Sequence, residues 1–247
     1  MRFYVYCLSD EPDAVSIEGL KGVGGSDARA LAFGGAASIV AVVSEFKGER
    51  AAVTRENLRA HNSVNAHVLA RSTPLPFRFG TLADESRLDE YVSANEGALA
   101  DAFARVRGCV EMGVKLRVVE GAESSESSEV NVKEVRVEGA SAARKAGGSG
   151  TAFLLAKRRE ILGEESLKAR AEAAAARLAE RVEGLARESD VRLNPEGPIV
   201  VRAAHLVSRA DVSEYRARVR SFGASLERLH LLTSGPWPPY SFGVERG

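Results

Sequence analysis

The first residues of the chain carry an apolar pattern with the period of a β-strand. Apolar side chains alternate between two faces in residues 2–9, with Phe3, Val5 and Cys7 on one face and Tyr4, Tyr6 and Leu8 on the other. Because successive strand residues point to opposite faces, this pattern predicts a strand inside a sheet that is covered on both sides. Residues 28–33 and 38–43 are two further predicted strands, with a turn at Gly34 and Gly35 between them. The N-terminal part should therefore contain a small sheet with at least one hairpin.

Helical periodicity follows in two segments. The first predicted helix covers residues 54–71, and Thr54 is placed to cap its N-terminus. It ends ahead of Pro74, because the residue before a proline is pushed out of the helical region. The second predicted helix covers residues 84–107, where apolar residues recur at helical spacing. Two helices should therefore pack with the first sheet.

The elements beyond Gly108 indicate a different arrangement. They are a strand (residues 109–119), an optional edge strand (130–137), a long helix (151–188), a strand (198–207), a helix (211–226) and a last strand (227–232). A ferredoxin-like sandwich has the order βαββαβ, so this half fits that fold with one strand misplaced or inserted. We predict an α+β protein of two domains. Residues 1–108 form a small sheet plus helices, and residues 109–247 form a modified ferredoxin-like sandwich with a long helix and a proline-aromatic tail.

The composition bears on whether the protein has a nucleic-acid or membrane partner. The 247 residues contain 34 basic and 34 acidic side chains, so the formal net charge is zero. Such a chain carries no net cationic field toward nucleic acid or anionic lipid. No apolar stretch reaches the ~20 residues that span a bilayer. Two cysteines do not indicate a fold held by disulfides, and they fit a reducing cytoplasm. We therefore expect no nucleic-acid or membrane partner and a cytoplasmic location.

The segment GPWPPYSF, residues 235–242, is a proline-aromatic tail. Proline fixes φ and donates no backbone hydrogen bond, so this tail can be neither a helix nor a central strand. A stiff extended ribbon that presents Trp237, Tyr240 and Phe242 is predicted. Because chain ends usually fray, so rigid an end implies docking. Two interpretations stay open: a latch that closes the protein's own core, and a ribbon that recognises another protein.

A second block, PLPFRFGT at residues 74–81, connects the two predicted helices of the first half. It places Arg78 between Phe77 and Phe79. In an extended segment the two phenylalanines would point one way and Arg78 the other. Arg78 would then either pair with a carboxylate or helix-terminal carbonyls at the domain junction, or face a partner. Both roles stay open at this point.

Candidate chemistry is sparse. His61 and His67 are six residues apart, which on a helix turns them about 120° from each other, so they cannot hold one metal from one face. The run GGSGT, from Gly147 to Thr151, opens a predicted helix, where an anion can bind, but it lacks the spacing of a phosphate-binding loop. No nucleophile, base and orienting group come together in the pattern. We interpret the chain as non-catalytic, with no metal or cofactor.

Several blocks carry a resemblance to a known family. LTSGPWPPYSF, residues 232–242, resembles the C-terminal signature of the gas vesicle GvpL/GvpF family, and residues 74–81 resemble its central LPxRFGT-like motif. NLRAHN, residues 57–62, is similar to the family's helix ahead of that motif. Ser234 is an insertion relative to the common TGPWPPY form. The resemblance covers nearly the whole chain.

The resemblance implies a physical role in gas vesicles. It implies a minor shell-associated or assembly protein, located at the gas vesicle in the cytoplasm, that binds the GvpA-like shell subunit and other gas vesicle proteins without catalysis or a cofactor. Open sheet edges and the aromatic tail could bind such a subunit by strand addition or groove contact, and self-association is compatible with this role. The candidate structural or partner-contact residues are Arg78, Phe79, Trp237, Tyr240 and Phe242. The competing function is a ferredoxin-like small-ligand or nucleotide sensor that uses the loop from Gly147 to Thr151.

Overall fold

The computed structural model of the protein describes residues 1–33, 38–119, 167–194 and 198–243. Within these ranges the chain forms two antiparallel sheets and five α-helices. The predicted α+β class is confirmed. The predicted turn at Gly34 and Gly35, the optional strand at residues 130–137 and the loop from Gly147 to Thr151 lie outside the described residues.

The first sheet is built around the N-terminal strand. Its strands are β1 (Phe3–Ser9), β2 (Ala28–Phe33), β3 (Ile39–Glu45), β4 (Leu75–Pro76) and β5 (Leu82–Ala83). Their order is β2-β3-β1-β4, and β5 also pairs with β1. Every residue of β1 is buried, as the apolar pattern on both of its faces predicts. A register shift between Val5 and Cys7 places Cys7 in the same core cluster as Tyr4 and Tyr6, because a bulge reverses the alternation. The expectation that Cys7 shares a face with Val5 is therefore wrong.

Three helices cover the first sheet. They are α1 (Arg55–Leu69), α2 (Glu85–Ala94) and α3 (Glu96–Val106). The predicted cap is confirmed, since Thr54 Oγ1 accepts a hydrogen bond from the Asn57 backbone N–H at 3.2 Å. The single helix predicted over residues 84–107 is wrong, because Asn95 interrupts it with φ −116° and ψ 17°. The Asn95 side chain donates to the Tyr91 carbonyl at 2.7 Å, a local bond that competes with the helix.

The second sheet has the ferredoxin-like topology. Its elements in chain order are β6 (Cys109–Val118), α4 (described over residues 167–182), β7 (Ala186–Leu193), β8 (Ile199–Ser208), α5 (Val212–Ala224) and β9 (Leu229–Trp237). The strand order β7-β8-β6-β9 places the first and third strands of a βαββαβ unit at the centre. The prediction that the long helix continues to residue 188 is wrong. Gly184, with φ 78°, turns the chain before β7 begins at Ala186.

The two sheets share part of their core. One buried cluster joins Leu8 of β1 and Phe103 of α3 to Cys109 of β6, Leu206 of β8 and Phe242 of the tail. The other face of the second sheet packs on α4 and α5 in a separate cluster. The division into domains at residue 108 stays a prediction, because apolar contacts cross it.

Candidate functional site

The proline-aromatic tail begins as part of a strand. β9 is the outer strand of the second sheet and continues to Trp237, which is paired in register with Glu111 of β6. The prediction that no central strand forms here agrees with this edge position. The expectation that the last strand ends at residue 232 is wrong. Gly235 allows the close approach, since it has φ 107° and a Cβ there would lie 2.7 Å from the Glu111 carbonyl oxygen.

Beyond β9 the tail is anchored to the body of the protein. The Phe242 side chain is only 5% exposed and lies in the shared core. Arg105 of α3 donates to the Phe242 and Gly243 carbonyl oxygens, both at 2.8 Å. The Glu111 carboxylate accepts hydrogen bonds from the Ser241 N–H at 2.7 Å and the Ser241 hydroxyl at 3.1 Å. Burial raises the pKa of Glu111, and the Ser241 bonds oppose this rise. The tail therefore docks onto its own chain.

Three of the sequence blocks meet at His61, a buried residue of α1. The His61 Nδ1 atom lies 3.0 Å from the Tyr4 hydroxyl, and Nε2 lies 3.0 Å from the Tyr240 hydroxyl. The Gly80 backbone N–H donates to the Tyr4 hydroxyl at 2.9 Å. The His61 ring thus connects α1 and β1 to the block at residues 74–81 and to the tail.

The protonation state of His61 sets the direction of these bonds. Burial lowers the pKa of His61 to about 4, so the ring is neutral at pH 7, with one nitrogen donating and the other accepting. The Asn65 side-chain amide nitrogen, which can only donate, also lies 3.2 Å from His61 Nε2. Neutral His61 therefore satisfies both tyrosines at once.

The two phenylalanines of the PLPFRFGT block enter different clusters. The Phe79 ring contacts Tyr4 and His61 edge-on, with centroids at 5.9 and 5.7 Å. The Phe77 ring lies 5.8 Å from Tyr91 and packs against the shared core. The expectation that both point the same way is wrong, because the chain turns at Arg78, whose carbonyl accepts from the Thr81 N–H at 3.2 Å.

Arg78 itself is exposed at this turn. Within the part of the chain that the structure describes, its guanidinium has no hydrogen bond or ion pair. Both interpretations of Arg78, pairing at the domain junction and contact with a partner, therefore stay predictions.

A cleft of about 1110 Å³ lies between the two halves. Arg78 and Tyr91 line it from the first half, and Trp237 and Tyr240 line it from the tail. The Trp237 and Tyr240 side chains are 40% and 36% exposed, although the residues between and after them are anchored. The tail thus buries Phe242 and presents Trp237 at the surface.

The comparison with known families decides what kind of protein this is. Residues 2–243 match the model of the family described as gas vesicle synthesis protein GvpL/GvpF. The chain belongs to this family. Membership implies a role in gas vesicles and places the chain among their structural and assembly proteins.

Named relatives of this GvpL/GvpF chain agree with that assignment. It is 29% identical to gas vesicle protein L of Streptomyces sp. (strain CB03234), over 97% of this chain and 91% of that protein. It is 24% identical to gas vesicle protein L2 of Halobacterium salinarum (strain ATCC 700922 / JCM 11081 / NRC-1), over 98% of this chain and 91% of that protein.

Solved structures share the fold. GvpF from Anabaena sp. PCC7120 superposes with a TM-score of 0.74 at 18% identity, over 100% of this chain and 97% of that one. GvpF from Microcystis aeruginosa superposes with a TM-score of 0.69 at 17% identity, over 98% of each chain. At this identity the likeness shows the fold alone.

The GvpL/GvpF chain offers little for metal chemistry in the described ranges. They contain no group of three or more His, Cys, Asp or Glu side chains placed to hold a metal ion. His205, a second buried histidine, lies 2.6 Å from the Tyr215 hydroxyl, and burial lowers its pKa to about 4. Among the described helices, none has the length and apolar character that crossing a membrane requires.

Three residues that organise the tail were not predicted from the sequence. His61, Arg105 and Glu111 each bind the tail from a different element: α1, α3 and β6. The NLRAHN block contains His61, so the family resemblance was the signal that could have singled it out. Glu111 is a carboxylate within an otherwise apolar strand, which is a weaker signal. Arg105 has no local signal, because its partners lie 137 and 138 residues away.

Proposed function

We propose that this protein is a non-catalytic assembly or shell-associated component of gas vesicles that binds the GvpA-like shell subunit and other gas vesicle proteins in the cytoplasm. The family assignment supports the gas vesicle role. The position of Trp237 supports the binding of another polypeptide.

The observation that carries the proposal is a rigid, exposed tryptophan. Trp237 is 40% exposed, whereas Pro238 and Pro239 directly after it are buried and Phe242 fixes the end of the tail. An aromatic side chain that is held in place loses little conformational entropy on binding. Tryptophan is also among the residues that most often dominate protein interfaces. Trp237 is therefore our candidate for the anchor of a partner.

The strand that carries Trp237 offers a second element of recognition. β9 is an outer strand, so one of its edges has no neighbouring strand within the described sheet. A groove of about 620 Å³ lies between β9 and α5. An extended segment of a partner can add to such an edge through backbone hydrogen bonds. Covering the strand edges of a self-assembling shell subunit would prevent indiscriminate pairing before assembly.

The test is capture of the GvpA-like shell subunit by the purified protein. We expect the wild type and the control variant Val53→Ala to capture the subunit, since Val53 is an exposed apolar residue that lies outside both the cleft and the groove. Trp237→Ala should reduce the affinity by about 10-fold or more, as loss of an interface tryptophan does. Absence of capture by the wild type would refute the proposal. Equal capture by Trp237→Ala and Val53→Ala would remove Trp237 from it.

A further inference from the structure

Three cationic side chains lie in one row across the second sheet. Arg202 of β8 is paired in register with Arg192 of β7 on one side and with Lys115 of β6 on the other. Paired residues on adjacent strands project from the same face, with Cβ atoms about 4.5–5.5 Å apart. Val114 and Ala203, their neighbours along the strands, are buried against α4 and α5. Arg192, Arg202 and Lys115, which we call the cation row, therefore lie on the opposite face.

Like charges in register destabilise a sheet unless an anion compensates them. Asp190 compensates Arg192, with Oδ2 2.8 Å from its Nη2. The side chains of Lys115 and Arg202 have no hydrogen bond or ion pair with the described residues. Because β6 and β8 are the two central strands, these two cations cannot separate at a sheet edge. The centre of the row thus has an uncompensated pair of positive charges.

The cation row opens into the cleft between the two halves. All three of its side chains line the cleft, and Arg78 lines it from the first half, also without an ionic partner in the described chain. The next row across the sheet consists of Asp190, Ala204, Gly113 and Ser234. The small size of its last three residues leaves space above the strands. A volume of about 1110 Å³ beside these residues is large enough for several side chains of a partner.

The other charges of the cleft indicate which anion it accepts. Asp190 and Glu111 also line it. A nucleic acid carries a negative charge on every nucleotide and would meet these carboxylates. A polypeptide can place single carboxylates on the cations and apolar side chains on Tyr91. The formal net charge of zero also provides no general attraction to nucleic acid.

We propose that the cleft is a docking site for an acidic segment of a partner polypeptide, whose carboxylates bind Lys115, Arg202 and Arg78. This proposal is tested separately from capture of the shell subunit through Trp237. Lys115 and Arg202 lie on the two central strands, whereas Trp237 lies on the outer strand β9 at the border of the same cleft.

Binding of a fluorescent synthetic peptide rich in Glu and Leu, followed by anisotropy, tests the site. A matched peptide with Gln for Glu and a single-stranded DNA oligonucleotide serve as competing probes. The key variant is Lys115→Glu, which should fold, because it replaces a repulsive cross-strand pair with an attractive one beside Arg202. Lys47→Glu makes the same change of charge at an exposed position that does not line the cleft.

We expect Lys115→Glu to weaken binding of the Glu-rich peptide by about 10-fold or more, and raised salt to weaken it in the wild type. Lys47→Glu should bind like the wild type. No binding of the Glu-rich peptide, equal binding of the Gln peptide, or an equal loss in Lys47→Glu would overturn the proposal. Tighter binding of the oligonucleotide than of the peptide would overturn it in favour of a nucleic-acid site. Failure of shell-subunit capture would leave this result unaffected.

Discussion

At the residue scale, the aromatic side chains of the tail differ in how far they are buried. Phe242 is 5% exposed and belongs to the shared core, whereas Trp237 is 40% exposed. The latch and the recognition ribbon are therefore not exclusive interpretations of the tail. Phe242 and the bonds from Arg105 close the tail onto the core, and Trp237 stays exposed.

The difference in burial predicts that Phe242 contributes more to the stability of the protein than Trp237 does. Phe242→Ala should lower the free energy of unfolding by about 3–5 kcal/mol, because it leaves a cavity in the core. Trp237→Ala should lower it by only about 1 kcal/mol or less, because much of its surface already contacts water. Urea denaturation of both variants measures the difference. A larger loss in Trp237→Ala than in Phe242→Ala would contradict the assignment.

His61 should make stability depend on pH. Its pKa is lowered by burial to about 4 in the folded state, against about 6.5 in the unfolded chain, so the unfolded chain binds the proton more readily. The contribution of neutral His61 is fully present above pH ~6.5 and is lost as the pH falls toward ~4. We expect a loss of about 1–3 kcal/mol over this interval, reduced in His61→Gln. Denaturation curves at several pH values measure this, and identical pH slopes in the two proteins would refute it.

At the element scale, the errors of prediction have local causes. Asn95 lies within a continuous apolar periodicity, so the pattern predicts one helix where the structure has two. Four of the eight residues of β7 are charged, and the strand follows a long helix. Its half-buried and exposed positions therefore do not alternate as apolar and polar residues in the sequence. In each case the conformation of one residue ends a helix that the surrounding apolar periodicity would continue. The residue is Asn95 after α2 and Gly184 after α4. By contrast, β1, β6 and β8 were predicted nearly in full, because their apolar residues are strongly patterned.

At the scale of the whole molecule, the tail connects the two halves. Phe242 shares a cluster with Phe103 of the first half and Leu206 of the second, and Ser241 bonds to Glu111. The Thr73 hydroxyl donates to the Cys109 carbonyl at 3.2 Å across the same junction. Because these contacts cross the junction, we expect the two halves to unfold together, although each half has its own sheet.

Joint unfolding is testable with the protein's single tryptophan. Trp237 is the only tryptophan, so its fluorescence reports on the second sheet and the tail, while far-UV circular dichroism reports on both halves. Because the core is shared, we expect coincident urea transitions by the two methods. Two separated transitions would show that residues 1–108 and 109–247 unfold as independent units.

Taken alone, the amino-acid sequence determined the class of the fold, most of the strands and helices, and the family through two blocks that resemble its motifs. Hydrophobic periodicity and the restricted backbone at proline involve only residues that are close in the chain, so both can be recognised from the sequence. Only the tertiary structure decided which aromatic residue is buried, that Arg78 is exposed, and that His61 bonds Tyr240 across 179 positions of the chain. Those outcomes depend on contacts between distant segments, which packing creates and local pattern does not encode.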